Sequence, residues 1–229
     1  MTLLKLQYLL AIVAVLSALG LAHPVAAANW GNCSVESSTT TIIYTATTQI
    51  VPTTVTDITQ AFVIASATGD VDVRQTKDHL MTAELLGTGN VEFTRGGNVG
   101  ELQIAYSIVY CPGGDKLTVQ RGDISLAAGV ASGTAVLTAV DTSYSLVTVT
   151  VSSDETTTTD SSSLVTAALQ DASTVVVQRA AASTSNITAH YQIIEFPGSA
   201  GVSVQTSETT LSPYSASTDV TLTTAVATD

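Results

Sequence analysis

Residues 80–85 read LMTAEL, and residues 164–169 read LVTAAL, at an offset of 84 positions. Val91 and Arg95 recur at the same offset as Val175 and Arg179. Internal similarity at a fixed offset predicts two copies of one structural unit. The duplication also tests every candidate site, because chemistry that belongs to the unit should occur in both copies.

A second set of matches follows after one inserted residue, at an offset of 85 positions. Thr, Ser, Val and Ala dominate the chain, and biased composition produces chance matches, so the rarer residues carry the comparison. Those matches are Tyr106-x-Ile108 with Tyr191-x-Ile193, Pro112-Gly113 with Pro197-Gly198, and Val119-Gln120 with Val204-Gln205.

The composition predicts an all-β chain, because β-branched residues are abundant and strong helix formers are few. Residues 80–86 would fit a short helix when taken alone, but a hairpin partner follows in each copy, which favours a strand. We predict two tandem antiparallel β-sandwich modules, each with about six short strands. The predicted divisions are an irregular lead-in at 29–40, module 1 at 41–133 and module 2 at 134–229. Within module 2, Val220–Val226 would be a strand that opens a missing third module.

The N-terminus is typical of a secretory signal peptide at residues 1–28. Lys5 precedes an apolar run at 9–22, and Ala26–Ala28 supplies small residues for cleavage. An uncleaved membrane anchor is the alternative, but the apolar run is marginal for a full span. We therefore predict a protein that is secreted or held at the cell surface, with no membrane span after cleavage.

The charge excludes two classes of partner. The chain has 19 acidic and 7 basic residues, for a formal net charge of -12. A chain without a basic patch is not expected to bind nucleic acid or an anionic lipid surface. The acidity favours solubility outside the cell.

The chain has two cysteines, Cys33 and Cys111. Export permits a disulfide between them, and an even count agrees with one. The alternative is that Cys111 fills a core position, since the second copy has Phe196 there and a free cysteine packs as a small hydrophobic residue.

Acidic loops follow the second predicted strand of each copy, and clustered carboxylates are the ligands that Ca²⁺ prefers. Neither loop matches an EF-hand, so solvated loops without an ion are the alternative, and no other cofactor is predicted. The candidate metal ligands are Asp70, Asp72 and Asp78 in the first copy and Asp154, Glu155 and Asp160 in the second.

Tyr106 and Tyr191 are the candidate ligand-binding residues, because exposed aromatic rings stack on sugars. Strand tyrosines also pack in cores with the hydroxyl outward, which is the alternative. The tripeptide Arg121-Gly122-Asp123 matches an integrin-binding pattern, but the second copy does not repeat it. His79 and His190 are not repeated either, and there is no Gly-x-Ser-x-Gly motif, so we predict no enzymatic activity.

The run from Ser145 to Phe196, with LVTAAL, Val175–Arg179 and Tyr191 in order, resembles the H-type lectin module. It also resembles modules repeated in large bacterial secreted proteins. The lectin resemblance implies a six-stranded antiparallel sandwich in a secreted, often trimeric, glycan-binding protein. That family typically has Trp on the long strand where this chain has Tyr106 and Tyr191.

These observations predict a structural or adhesive protein of the cell surface or extracellular matrix. It would act by self-association or by contacts with other surface proteins, through its surfaces and unpaired strand edges. A glycan-binding, lectin-like module is the alternative function. A secreted hydrolase is the third interpretation.

Overall fold

The computed structural model describes residues 32–69, 75–87, 89–113, 116–156, 163–179, 181–198, 202 and 204–205. These residues form strands and two short 3-10 helices, at Ile58–Gln60 and Thr76–Asp78, and no α-helix. The predicted fold class is confirmed: the chain is all-β and contains two similar modules. The predicted signal peptide and the predicted strand Val220–Val226 lie outside the described residues.

The first six strands form one sandwich of two three-stranded antiparallel sheets, which we call sandwich 1. One sheet has the order β1-β6-β3 and the other β2-β5-β4. The strands are β1 (Ser34–Ile42), β2 (Thr48–Pro52), β3 (Ala61–Gly69), β4 (Met81–Leu86), β5 (Asn90–Arg95) and β6 (Leu102–Tyr110).

The next six strands form sandwich 2 in the same arrangement, with sheets β7-β12-β9 and β8-β11-β10. The strands are β7 (Thr118–Leu126), β8 (Ser132–Val136), β9 (Ser145–Ser153), β10 (Val165–Asp171), β11 (Thr174–Arg179) and β12 (Ile187–Glu195).

The duplication extends to the register of the strands. Ser34 of β1 lies opposite Tyr110 of β6, and Thr118 of β7 lies opposite Glu195 of β12. The inserted residue that changes the offset from 84 to 85 falls in the loop between β11 and β12. Loops tolerate such insertions, so the strands on either side keep their pairing.

Each sandwich has its own hydrophobic core between its sheets, and the alternation of side chains along the strands produces it. Met81, Ala83 and Leu85 of β4 are buried while the residues between them are half-buried. This period of two confirms the strand at 81–86 and explains why the helical interpretation fails. The same alternation buries Val91 and Phe93 of β5 in the first core and their counterparts Val175 and Val177 of β11 in the second.

A buried arginine ends the fifth strand of each sandwich. Arg95 and Arg179 are only 2% and 5% exposed. Each guanidinium donates to backbone carbonyls in two loops, one after the first strand of its sandwich and one after the fifth. The acceptors are Ile43, Ala46, Val99 and Gly100 for Arg95, and Ala127, Val130 and Ser185 for Arg179. Burial lowers the pKa of Arg95, and the nearby Asp78 carboxylate opposes that shift.

Cys33 and Cys111 form a disulfide that spans 78 positions of the chain. It joins the residue before β1 to the residue after β6, so it closes sandwich 1 at one end. Sandwich 2 has Phe196 at the place of Cys111, and Phe196 is 7% exposed. The residue at this position therefore forms a disulfide in sandwich 1 and packs as a buried hydrophobic side chain in sandwich 2.

Strand pairing divides the chain at different places from the sequence prediction. The predicted lead-in at 29–40 contains most of β1, which begins at Ser34. The predicted module 1 at 41–133 includes β7, but β7 pairs with β12 and so belongs to sandwich 2. The cause is that the first strand of each sandwich pairs with the last one. The order of the strands along the chain does not reveal this pairing, because the two strands are far apart in sequence.

Candidate functional site

The two sandwiches meet at a junction within one compact unit, Cys33–Val204. We use "the junction" for the contact between the free edges of β3 and β4 in sandwich 1 and the outer face of the β7-β12-β9 sheet. An edge strand leaves backbone N–H and C=O groups without strand partners, which normally invites association. Here side chains from sandwich 2 bind those groups.

Gln192 of β12 is the main contact of this kind. Its Oε1 accepts from the Val63 N–H at 3.0 Å, and its Nε2 donates to the Val63 carbonyl at 2.8 Å. Thr150 Oγ1 accepts from the Ala83 N–H on the neighbouring edge at 2.9 Å. Gln192 is 2% exposed, so the junction excludes water from these hydrogen bonds.

Arg121 of β7 contributes a third contact to the same edge. Its Nη2 donates to the Ala61 carbonyl at 2.6 Å. Burial lowers the pKa of Arg121, and the carboxylates of Glu84 and Asp57 partly oppose that shift. The Arg121-Gly122-Asp123 tripeptide therefore lies within a strand at the junction, not on a loop, and its Arg is already engaged.

Close backbone approach also marks the junction. Gly96 lies so near the Ser153 carbonyl that a Cβ atom at this position would overlap it. The Lys77 N–H donates to the Glu155 carbonyl at 3.1 Å. Ile194 faces outward from sandwich 2 beside Gln192, yet it is 0% exposed. The junction therefore combines apolar burial with hydrogen bonds.

Three residues that can ligate a metal lie together at this junction. Asp123 and His190 are opposite each other on β7 and β12, with His190 Nδ1 and Asp123 Oδ1 2.8 Å apart. Glu84 approaches them from β4 of sandwich 1. One ring nitrogen of His190 and one oxygen from each carboxylate lie within 4.8 Å of one another.

The surroundings of this cluster are asymmetric. The His190 side chain is 2% exposed, whereas Asp123 is 54% exposed. His190 Nε2 is buried and has no hydrogen-bond partner among the residues that the structure describes. Burial raises the pKa of the neighbouring Tyr191 phenol, and the Asp123 carboxylate adds to the rise.

The structure places the predicted ligand-binding tyrosines inside the cores. Tyr106 is 4% exposed and Tyr191 is 6% exposed. The Tyr106 ring packs against Phe93 with centroids 5.2 Å apart. A buried ring offers no face to a sugar, so the predicted ligand-binding role is contradicted, and the alternative of core packing describes both residues.

The predicted metal-binding carboxylates do not gather into one cluster among the described residues. Asp78 is 1% exposed, and its Oδ1 accepts from the Val99 N–H at 2.9 Å. The Asp154 oxygens accept from the backbone and side chain of Asn186 at 2.7 and 2.6 Å. Glu155 is buried, and its Oε2 lies 3.5 Å from the Ser183 hydroxyl. Asp70, Asp72 and Asp160 lie outside the described residues, so calcium binding by these loops stays a prediction.

Sequence reasoning missed the junction residues, although one signal for them was present. The two copies differ at the junction: His190 and Gln192 stand where the first copy has Ala105 and Ser107. Longer polar side chains at these two positions of one copy alone indicate a contact that only this copy makes. No local motif indicates a metal site at His190, because its partners Asp123 and Glu84 are 67 and 106 positions away in sequence.

Comparisons with known proteins identified no relative: no family model, no curated protein and no solved structure matches this chain. Among the residues that the structure describes, no helix has the length and apolar character needed to cross a membrane.

Replacing Gln192 by leucine is expected to lower the free energy of unfolding by about 2–3 kcal/mol. The reason is that the change leaves two buried backbone groups of Val63 without partners. Urea unfolding measures this loss, and hydrogen exchange of the Val63 amide should become faster. Gln103→Leu is the matched control, because Gln103 is exposed on the corresponding face of sandwich 1. An equal loss in both variants would contradict a specific role for Gln192.

Proposed function

We propose that this protein is an exported structural protein of the cell surface or matrix, whose copies assemble through surfaces equivalent to its own junction. The duplication supports this idea. In the junction, sandwich 1 contributes the edges of β3 and β4. Their counterparts in sandwich 2 are the edge strands β9 and β10. Sandwich 2 presents the outer face of β7-β12-β9, and its counterpart is the outer face of β1-β6-β3.

One observation carries the proposal: each of these two surfaces has an exposed aliphatic residue whose counterpart is more buried. Val35 on β1 is 49% exposed, whereas its counterpart Val119 on β7 is 6% exposed. Leu164, just before β10, is 62% exposed, and its counterpart Leu80 is half-buried beside the junction. Exposed aliphatic residues on both surfaces favour association there.

The surface at the edges of β9 and β10, where Leu164 lies, has a shape that fits an aliphatic side chain. Leu164 lines a groove of about 280 Å³ together with Leu80, Met81 and Val149. Apolar walls on several sides allow a partner residue such as Val35 to be buried there. Burial of one such side chain contributes about 1.5–3 kcal/mol.

The geometry of this contact is head-to-tail, because the two surfaces are different and lie on different sandwiches. A heterologous contact that does not close produces an open chain of subunits. The face of sandwich 1 carries Ser37, Ser66 and Ser107 where the junction has Arg121, Thr150 and Gln192. Short hydroxyl side chains make fewer edge contacts, so we expect association between chains to be weaker than the internal junction and to depend on protein concentration.

Size-exclusion chromatography with light scattering on the exported protein tests this function. We expect the mass to grow with concentration, and both Leu164→Lys and Val35→Lys to abolish that growth because each buries a charge in the contact. Val136→Lys is the control, since Val136 is 87% exposed on β8, away from both surfaces. A monomer at every concentration would contradict the proposal, as would growth that is unaffected by the first two changes.

A further inference from the structure

The junction cluster contains a buried ligand atom that has no hydrogen-bond partner within the described ranges. With Nδ1 of His190 donating to Asp123, the neutral ring carries a lone pair on Nε2. That nitrogen is buried and makes no hydrogen bond to any residue in the described part of the chain. Leaving such an atom unsatisfied is costly, and a metal ion is one group that would satisfy a lone pair on an imidazole.

The charge around this histidine is negative. Glu84 lies directly opposite Glu92 across the β4–β5 pair, and like charges at this position repel. Asp123 adds a further carboxylate at 2.8 Å from the ring. Arg121 is the basic group facing the cluster among the described residues, and it is attracted to both Glu84 and Asp57. The carboxylates therefore outnumber the cation, and a divalent ion would reduce their repulsion.

We infer that His190 Nε2 and the Glu84 carboxylate bind a divalent transition-metal ion such as Zn²⁺, while Asp123 orients the imidazole ring through Nδ1. Imidazole ligands select such ions over Ca²⁺, which prefers oxygen. The carboxylate that holds Nδ1 matches the arrangement common around metal-bound histidines, in which a carboxylate orients the ring. The burial of His190 beneath sandwich 1 supplies an observation independent of the acidic groups.

The site belongs to the junction and not to the repeated module. The counterparts of its three residues are Ala168, Thr39 and Ala105, none of which is a strong metal ligand. Glu84 comes from sandwich 1 and the other two residues from sandwich 2, so a bound ion would connect the sandwiches. This inference does not depend on assembly between chains.

Calorimetric titration of the metal-free protein with Zn²⁺, and the visible absorption of added Co²⁺, test the inference. We expect one ion per chain. His190→Gln and Glu84→Gln should each weaken binding at least about tenfold, and Asp123→Asn about 10–100-fold. Glu92→Gln is the matched control: it removes the same charge from the neighbouring strand and should change affinity less than about twofold.

The inference is overturned if Zn²⁺ binding is weaker than about 1 mM, or if His190→Gln and Glu84→Gln bind as tightly as the unchanged protein. It is also overturned if Glu92→Gln weakens binding as much as Glu84→Gln, since general electrostatic attraction would then explain both. If His190→Gln does not fold, as judged by circular dichroism, Glu84→Gln decides the question because Glu84 is only half-buried at a strand edge.

Discussion

Replacing Arg179 by methionine is expected to lower the free energy of unfolding by about 3–5 kcal/mol. Methionine keeps much of the buried volume but removes every donor. Three backbone carbonyls, at Val130, Ser185 and Ala127, then lose partners that lie 2.7–3.0 Å away. Urea unfolding monitored by circular dichroism measures the change.

Lysine at the same place should recover only part of this stability. A lysine ammonium has a positive charge but lacks the planar fork that reaches carbonyls in two loops at once. Arg95→Met should destabilise sandwich 1 at least as much, because the Arg95 guanidinium donates to carbonyls at four residues.

Gln178→Met is the control for the arginine variant, because Gln178 is the exposed neighbour of Arg179 on β11. It should change the unfolding free energy by less than about 0.5 kcal/mol. A small effect of Arg179→Met, comparable to this control, would show that water replaces the guanidinium without cost. The arginine would then not hold the loops together.

Removal of the disulfide is expected to have the second large effect. The double change Cys33→Ser and Cys111→Ser should lower the free energy of unfolding by about 4 kcal/mol. The physical reason is that a crosslink spanning 78 positions restricts the unfolded chain strongly, and its loss restores that chain entropy. Unfolding in urea, with and without a reducing agent, measures the difference.

The loss should be confined to sandwich 1. Hydrogen exchange of the β1 amides should become faster, because β1 is an edge strand that the disulfide ties to the end of β6. Amides of β7, the counterpart in sandwich 2, serve as the internal control, since Phe196 stands there in place of a cysteine. Equal acceleration in β1 and β7 would show that the two sandwiches unfold as one unit.

Part of this architecture is present in local sequence. Apolar residues alternate along β4 and β5, and the same alternation returns in β10 and β11, so hydrophobic burial selects strands in both copies. The equivalent arginines Arg95 and Arg179 were also visible as matched positions. Their role was not, because the carbonyls they bind belong to loops whose approach depends on the folded sandwich.

The candidate site was less accessible to sequence reasoning. Glu84, Asp123 and His190 are distant in sequence and come from different sandwiches, so no local motif joins them. Tyr106 and Tyr191 were misinterpreted as potential ligand contacts because a strand pattern shows which residues share a face but not which face is covered. The structure shows that both face the cores.

The sequence alone determined the duplication, the β class and the alternation that makes each strand two-sided, because these depend on residue type and spacing. Only the tertiary structure decided which strand begins each sandwich, which faces are buried and which polar groups meet at the junction. These outcomes depend on hydrogen bonds and packing between segments dozens of residues apart. Their chain-entropy cost is offset only when the whole sandwich forms.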